Sequence, residues 1–574
     1  MSTTMVETVW RLPETDQEAF FSFCEQHQLS GVLAELMYAK KFPGTKELIS
    51  YLSSEAVPLS DPFLLTDMDK AVERIGIAKE KQEHIRVIGD YDVDGISATA
   101  LLVRGLRYFG VKEVSFALPN RLEDGYGLNT HILSQAKSDG VTLVITVDNG
   151  ITSVEEAAFA SANGIDLIIT DHHTMGDTLP EACAVINPKR EVESSPFYSI
   201  CGTTVAFELC TALNKRHDNL SLVALATIAD VMPLTGENRL LTERGIEELR
   251  RGTQPGLQAL MAQSKLTTRD VKAEDMAFQV GPRINASGRL GSGGSALQLL
   301  LTDDPEEAKY LAQELNTINE QRKDVERIIS EEAYEMLTEH DLEDKRTIVL
   351  SSRQWHPGVI GIVASKLQYR YHKPIMIIGV NEDGLGRGSG RSNDGFSLIE
   401  ALQSCSELFV KYGGHRNAAG ITIEENQIPA LWEAMEEAAI AQEASKMPVR
   451  ELTVDAVLAF SSIDNALLSE VDRLEPIGHG NPPPVFATFS AKLVQGATRI
   501  LNGGHLQCSL EHDRRTFRAI GFNMAERVDL DNLPSKVDVA YIPKYNHWQG
   551  NTTIQLHLID IKDSKRNSFM EDSA

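Results

Sequence analysis

From about residue 85 this chain alternates short apolar runs with amphipathic stretches. Residues 85–89 are followed by helical spacing over 96–109, 114–118 by 130–137, and 143–147 by 154–163, with a further apolar run at 167–170. Short apolar runs separated by helical periodicity predict βαβ units around a parallel sheet. Helical patterns over 205–215 and 222–229 follow. Over 304–340 the apolar positions Leu311, Leu315, Ile318, Val325, Ile328 and Ile329 recur at roughly helical spacing, with no glycine and no proline after Pro305. That pattern predicts a long helix connecting two domains. A second α/β segment runs from near Thr347 to about Ala444. Beyond about Val449 the chain is β-like, with turns at Asn502-Gly503-Gly504 and Gln549-Gly550-Asn551, which suggests a small barrel or sandwich.

The pattern divides the chain into a helical lead-in (1–70), a parallel-sheet α/β domain (71–303), a connecting helix (304–341), a second α/β domain (342–447), a β-rich domain (448–565) and a polar tail (566–574). A length of 574 residues suits several domains, and 42% hydrophobic with 24% charged residues suits globular cores. No apolar run is long enough to predict a membrane span. The polar N-terminus, with Glu7 early, lacks the layout of a secretory signal. Six cysteines stand singly with no CxxC pair, so a reducing, cytoplasmic setting is expected, without a disulfide framework or structural zinc. The formal charge of −27 opposes nonspecific binding to nucleic acid, so any grip on phosphate must come from local basic loops.

Three apolar runs end in carboxylates: Asp90-Tyr91-Asp92-Val93-Asp94-Gly95 after the first, Asp148-Asn149-Gly150 after 143–147, and Asp171-His172-His173 after 167–170. In an open parallel sheet, ligands bind beyond the carboxyl ends of the strands. A single Asp there is usually a turn or cap residue. Five Asp and two His on one edge are unfavourable unless cations neutralise them. A calcium-loop reading of residues 90–101 fails because its twelfth position is Leu101 rather than Glu. Oxygen donors with one or two imidazoles suit Mn²⁺, with Mg²⁺ as competitor, and bridging carboxylates suit two ions able to activate a water for phosphoryl displacement. Asp230, ending the apolar run 225–229, is a further candidate ligand.

For anion binding, Gly386-Arg387-Gly388-Ser389-Gly390-Arg391-Ser392 reads as a glycine-rich loop whose backbone can approach phosphate while Arg391 and Ser389 bind it. Gly413-Gly414-His415 offers exposed N–H groups and an imidazole. Arg121 follows a strand, and Arg283 and Arg289 lie in another glycine-containing loop. Phe517, Phe522, Tyr541, Tyr545, His547 and Trp548, near Arg514, Arg515 and Arg518, could stack single-stranded bases, although core packing would explain such aromatics equally well.

The motifs at Asp90–Gly95, Val147-Asp148-Asn149-Gly150, Asp171-His172-His173 and Ala229-Asp230 resemble, in order, those of the DHH phosphoesterases. Gly281-Pro282-Arg283-Ile284-Asn285-Ala286-Ser287-Gly288-Arg289, Trp355-His356-Pro357-Gly358-Val359-Ile360-Gly361 and Gly413-Gly414-His415-Arg416-Asn417-Ala418-Ala419-Gly420 narrow the resemblance to the bacterial single-strand-specific 5′→3′ exonucleases of that family. It spans about residues 50–565. It implies a DHH domain, a connecting helix, a DHHA1 domain whose loops grip DNA near its 5′ end, and an OB-like β-barrel. It also implies metal-dependent hydrolysis of single-stranded DNA in repair and recombination, alongside single-strand-binding protein and a RecQ-type helicase. On this reading Asp92, Asp94, Asp148, His172 and Asp230 are ligands, Asp90 is a ligand or orients one, and His173 positions the scissile phosphate. Two other readings stay open: a phosphoesterase acting on small substrates, and a DNA-binding scaffold with an inactive DHH domain.

Overall fold

The computed structural model describes residues 8–42, 45–52, 57–120, 127–339, 345–393, 395–444, 450–494, 496–528, 530, 532–548 and 551–564. They fall into two compact units: residues 57–446 with 476–481, and the described parts of the two chain ends. Strands are numbered along the chain, and β1 (Thr8–Arg11) belongs to the second unit.

The first unit opens on a five-stranded parallel sheet: β2 (His84–Ile88), β3 (Glu113–Ala117), β4 (Leu143–Val147), β5 (Asp166–Thr170) and β6 (Ala184–Ile186), in the order β3-β2-β4-β5-β6. All of β4 and the last four residues of β2 are buried, as expected of strands covered on both faces. The helix Val93–Phe109 is buried around most of its circumference, the mark of a helix inside a large core. It packs with the helices Gly202–Asn214 and Leu220–Ala229, where Leu222 and Leu225 are fully buried at roughly 1.5–3 kcal/mol each. The strand order reverses between β2 and β4. Crevices at such a reversal open at the carboxyl ends of the strands.

A helix over Pro305–Glu339 leads to the second sheet. That sheet comprises β7 (Ile348–Ser352), β8 (Ile375–Val380), β9 (Leu385–Arg391), β10 (Phe409–Gly414) and β11 (Ala418–Glu424), in the order β10-β11-β9-β8-β7. Only β7 and β8 run parallel; the remaining pairs are antiparallel.

In the second unit, β12 (Arg450–Thr453) pairs in parallel with β1, and β13 (Ala456–Val457) with β14 (Phe486–Leu493). β15 (Arg499–Leu501), β16 (His505–His512), β17 (Arg515–Gly521), β18 (Lys536–Trp548) and β19 (Asn551–Asp563) complete an OB-like sheet. Neighbours run β14-β18-β19-β17-β16, and β16 returns to β14 through Lys492–Glu511 and Leu493–Leu510. The N-terminal segment carries the helices Gln17–His27, Gly31–Ala39 and Thr45–Leu52 expected of a helical lead-in, but it is not helix alone. It contains a strand, and Leu33, Leu36, Met37 and Leu48 share one core with Phe460, Phe486 and Tyr541. Trp10 Nε1 donates to Asp560 at 2.8 Å across a sequence separation of 550.

Candidate metal centre and anion-binding surface

Asp92 caps the helix Val93–Phe109, its Oδ1 accepting the Gly95 N–H at 3.0 Å. The helix therefore starts three residues earlier than its apolar spacing suggests, and Asp94 falls in the first turn. Both oxygens of Asp94 accept at 2.7 Å from Gly202 N–H and Thr203 N–H, the orphan donors opening the helix Gly202–Asn214. Gly202 is needed here, since a Cβ would stand 2.6 Å from Asp148 Cβ. Asp148, at the end of β4, is 2% exposed and holds a left-handed φ of 62°, which Asp tolerates better than most residues.

The three residues after β5 divide their work. Asp171 turns away from the cluster: its carboxylate accepts from Ile151 N–H at 2.9 Å, His172 N–H at 2.7 Å and His173 N–H at 3.1 Å. It also lies 2.8 Å from His173 Nδ1. Burial alone would raise its pKa, but the His173 hydrogen bond and charge bring it below the ordinary range. Burial disfavours the His173 cation, yet Asp171, Asp230 and Asp94 outweigh it and lift the ring to about 9. His172 moves the other way, its pKa lowered chiefly by burial. Its Nε2 lies 3.0 Å from Asp148 Oδ1 and 3.6 Å from both Asp94 Oδ2 and Asp230 Oδ2.

This crowding carries an electrostatic cost. Burial, then the charges of Asp94, Asp92, Asp230 and Asp90, push Asp148 well above the carboxylate range. Burial with Asp94 and Asp92 raises Asp230 to about 8. Burial and Asp94 also raise Asp92. Three sets of donor atoms lie within 4.8 Å of one another: Asp148, His172 and His173; Asp94, His172 and Asp230; and Asp90, Asp92 and Asp148. His172 Nε2 and Asp230 Oδ2 are buried and make no hydrogen bond. A divalent cation answers both facts, neutralising the carboxylates and taking up the uncommitted donors. The oxygen-rich donor set with imidazole suits Mn²⁺ or Mg²⁺. Asp90, Asp92, Asp94, Asp148, His172 and Asp230 thus meet at one edge of the sheet.

Three contributors were not singled out from sequence. Asp171 orients His173. Asn285 Oδ1 accepts from Val93 N–H at 3.1 Å, tying a distant helix to the Asp92–Asp94 turn. Asn149 Nδ2 donates to the carbonyls of Ile88 and Val147, joining the ends of β2 and β4. Each lies within a motif, but the roles of Asn285 and Asn149 depend on partners 192 and 61 residues away along the chain.

The anion-binding candidates need correction. Residues 386–391 lie in the strand β9, not a loop. Strand alternation puts Gly386, Gly388 and Gly390 on one face, where a Cβ would stand 2.5–2.9 Å from Ile378, Ile421 or Met376. These glycines make room for a core, and Arg387, Ser389 and Arg391 occupy the opposite face. Arg391 Nη1 donates to Ser389 Oγ at 3.0 Å, and a Cβ on Gly361 would stand 3.0 Å from that oxygen. Gly413 and Gly414 pair with β11, and His415 N–H donates to Ala418 O at 2.8 Å, so it is already engaged while the imidazole is exposed. Arg283 and Arg289 sit on the helix Gly281–Leu290 rather than in a loop, and Gly288 is there because a Cβ would meet Tyr91 O at 2.2 Å. Arg283 Nε donates to Asn316 Oδ1 at 3.0 Å and Arg289 Nη1 to Gly358 O at 3.2 Å. Arg121 lies outside the described residues. Among the barrel aromatics, Tyr541 is buried and bonded to Thr488, and Phe517 packs edge-on against Phe460; Phe522, Tyr545 and His547 are exposed.

A parallel sheet with these carboxylates at its strand ends, followed by a mixed second domain, defines a DHH-type site. Family models agree: the DHH family N-terminal domain matches residues 84–233, the DHHA1 domain 344–441 and the RecJ OB domain 454–560. The single-stranded-DNA-specific exonuclease RecJ of Bacillus subtilis (strain 168) is 34% identical over 565 residues, 98% of this chain and 71% of that protein. The crystal structure of RecJ from Thermus thermophilus in complex with Mn²⁺ superposes with a TM-score of 0.81 at 31% identity, covering 97% of this chain and 80% of that one. Its Mg²⁺ complex gives 0.76 at 30% identity, with 97% and 78% covered. The chain belongs to the RecJ family.

Proposed function

We propose that the chain is a metal-dependent, single-stranded-DNA-specific exonuclease acting from the 5′ end. The observation that carries this reading is His172 Nε2 within 3.6 Å of three carboxylates, in a chain of this family. Asp90, Asp92, Asp94, Asp148, His172 and Asp230 would hold two divalent ions. Bound there, Mn²⁺ or Mg²⁺ supplies Lewis acidity toward phosphate oxygen and lowers the pKa of water. The remaining chemistry belongs to side chains. Lowered basicity keeps His172 neutral, the form that ligates. Burial opposes the His173 cation but its hydrogen bond to Asp171 favours it, and the ring holds a nonbridging oxygen of the scissile phosphate. Asp171 fixes its ring, so the positive charge needs no reorganisation during reaction.

Arg391 and Ser389, with Arg283, Arg289 and the Gly414–His415 turn, hold the strand near its end, and Arg121 adds to them. The barrel's Phe522 and Tyr545 offer exposed rings for base stacking. A cytoplasmic setting suits the six free cysteines, and among the described residues no helix is long and apolar enough to cross a membrane. DNA repair and recombination would place single-strand-binding protein and a RecQ-type helicase beside it. The test is digestion of single-stranded DNA labelled at either end, with Mn²⁺, Mg²⁺ or chelator. Metal-dependent loss of nucleotides from the 5′ end is expected. Equal digestion of duplex DNA, or cleavage of dinucleotides alone, would overturn the reading.

A further inference from the structure

We propose that Val231 is a substrate-binding residue whose side chain packs against the terminal nucleotide at the metal centre; this rests on the nuclease reading above. The helix Leu220–Ala229 ends in a Schellman arrangement: Val231 N–H donates to Ile228 O at 3.2 Å and Met232 N–H to Thr227 O at 3.0 Å. The residue following the cap in this motif takes a left-handed conformation and is usually glycine. Here it is valine, with φ at 56°. Among the described residues, Val231 is the one β-branched residue with a positive φ, and for such side chains that conformation is strained.

Packing within the chain does not account for it. Val231 is 62% exposed, so its isopropyl group buries little surface that would offset the strain. Glycine would make the same hydrogen bonds without the strain. What distinguishes this helix end is its place. The preceding residue is Asp230, whose Oδ2 lies 3.6 Å from His172 Nε2. The end is also walled in, since a Cβ on Gly281 would stand 3.6 Å from Ala229 Cβ and 3.9 Å from Val93 Cγ2, next to Asp92 and Asp94. The residue directly after Asp230 is thus an exposed apolar one on a left-handed backbone, next in the chain to a carboxylate of the cluster. A nucleotide brought there by its phosphate offers one large apolar surface, the face of its base. Strain retained beside a reacting centre is expected where the side chain meets the substrate.

The experiment compares wild type with Val231→Gly on two single-stranded oligonucleotides, one normal and one with abasic sites at its two 5′-terminal nucleotides. Val231→Gly should raise the unfolding transition by about 2 °C. On the normal strand it should lower kcat/KM about fivefold, whereas on the abasic strand the two enzymes should match, because the valine side chain acts on the base. Equal activity on the normal strand would overturn the proposal. So would an equal loss on both strands, which would mean that glycine merely loosens Asp230. Failure of the wild type to digest the normal strand would instead overturn the nuclease reading itself, and the proposal with it.

Discussion

The end of the first sheet and the face of the second solve opposite problems. Around β2, β4 and β5 the chain buries carboxylates against one another, with Asp148 2% exposed, so that the fold alone leaves their charge uncompensated. On β9 it alternates glycine with Arg387, Ser389 and Arg391, clearing one face for a core and setting donors along the other. On the nuclease reading proposed above, the first region would take cations and the second anions. A phosphodiester with its metal ions requires both. Acidity over the whole chain therefore says little about its partners, because it does not preclude local clusters of positive charge such as Arg387 and Arg391 on one face of β9.

The largest test removes charge from the first region. Asp148→Asn keeps a residue that tolerates the left-handed backbone while deleting a buried carboxyl that its neighbours push well above the ordinary range. Activity should fall more than about 10³-fold, equivalent to over ~4 kcal/mol of barrier. Without metal the variant should unfold at a higher temperature than wild type, and added Mn²⁺ should stabilise it less. A lower metal-free transition would show that crowding is not the cost described here.

Next comes the orientation of charge within that region. Asp171→Asn leaves every proposed ligand in place but removes the anion beside His173 Nδ1. A fall of about 10² in kcat with little change in KM is expected if His173 serves the transition state. Steady-state kinetics on a labelled single strand would measure it, and a rise in KM alone would place His173 in substrate binding.

Glu208 sharpens the comparison, being a buried carboxyl of the same unit outside the metal centre. Burial, then Glu237 and Asp61, raise it to about 8, and its Oε1 is buried without a hydrogen bond. A carboxyl with no cation to neutralise it stays protonated. The folded protein then holds a proton that the unfolded chain has released above the ordinary value of 4.5. Stability should accordingly fall as pH rises from near 4.5, and level off above about 8. Glu208→Gln should flatten this dependence and gain a few kcal/mol, to order of magnitude, at the alkaline end. Thermal unfolding across that range is the measurement, and an identical slope in the variant would exclude Glu208 as its source.

The smallest effect is expected on the second region. Arg391→Ala should weaken single-strand binding several-fold and reduce the slope of log affinity against log salt by about one, since the variant neutralises one phosphate fewer. Titrations at several salt concentrations would decide it. An unchanged slope would leave Arg391 as a structural partner of Ser389.

Much of the carboxylate–imidazole cluster was legible because its residues follow apolar runs directly: Asp90, Asp148 and His172 stand within two residues of strand ends, and strand ends are readable from hydropathy. The long helix Pro305–Glu339 was legible for the same reason. Glycine misled. At Gly386, Gly388, Gly390 and Gly288 the residue answers a steric demand from Ile378, Ile421, Met376 or Tyr91, and one-dimensional pattern does not separate that use from a flexible loop.

What the sequence determined by itself is the local chemistry: which carboxylates and imidazoles leave which strands, and so what kind of ion they attract. Tertiary structure alone decided how they are shared out. It turned Asp171 inward onto backbone N–H groups, drew Asp94 onto the start of a helix more than a hundred residues away, and joined Trp10 to Asp560 across a separation of 550. Hydropathy records whether a residue is buried. Its partner is set by non-local packing, in which burial, hydrogen bonding and charge are satisfied together by residues far apart in the chain.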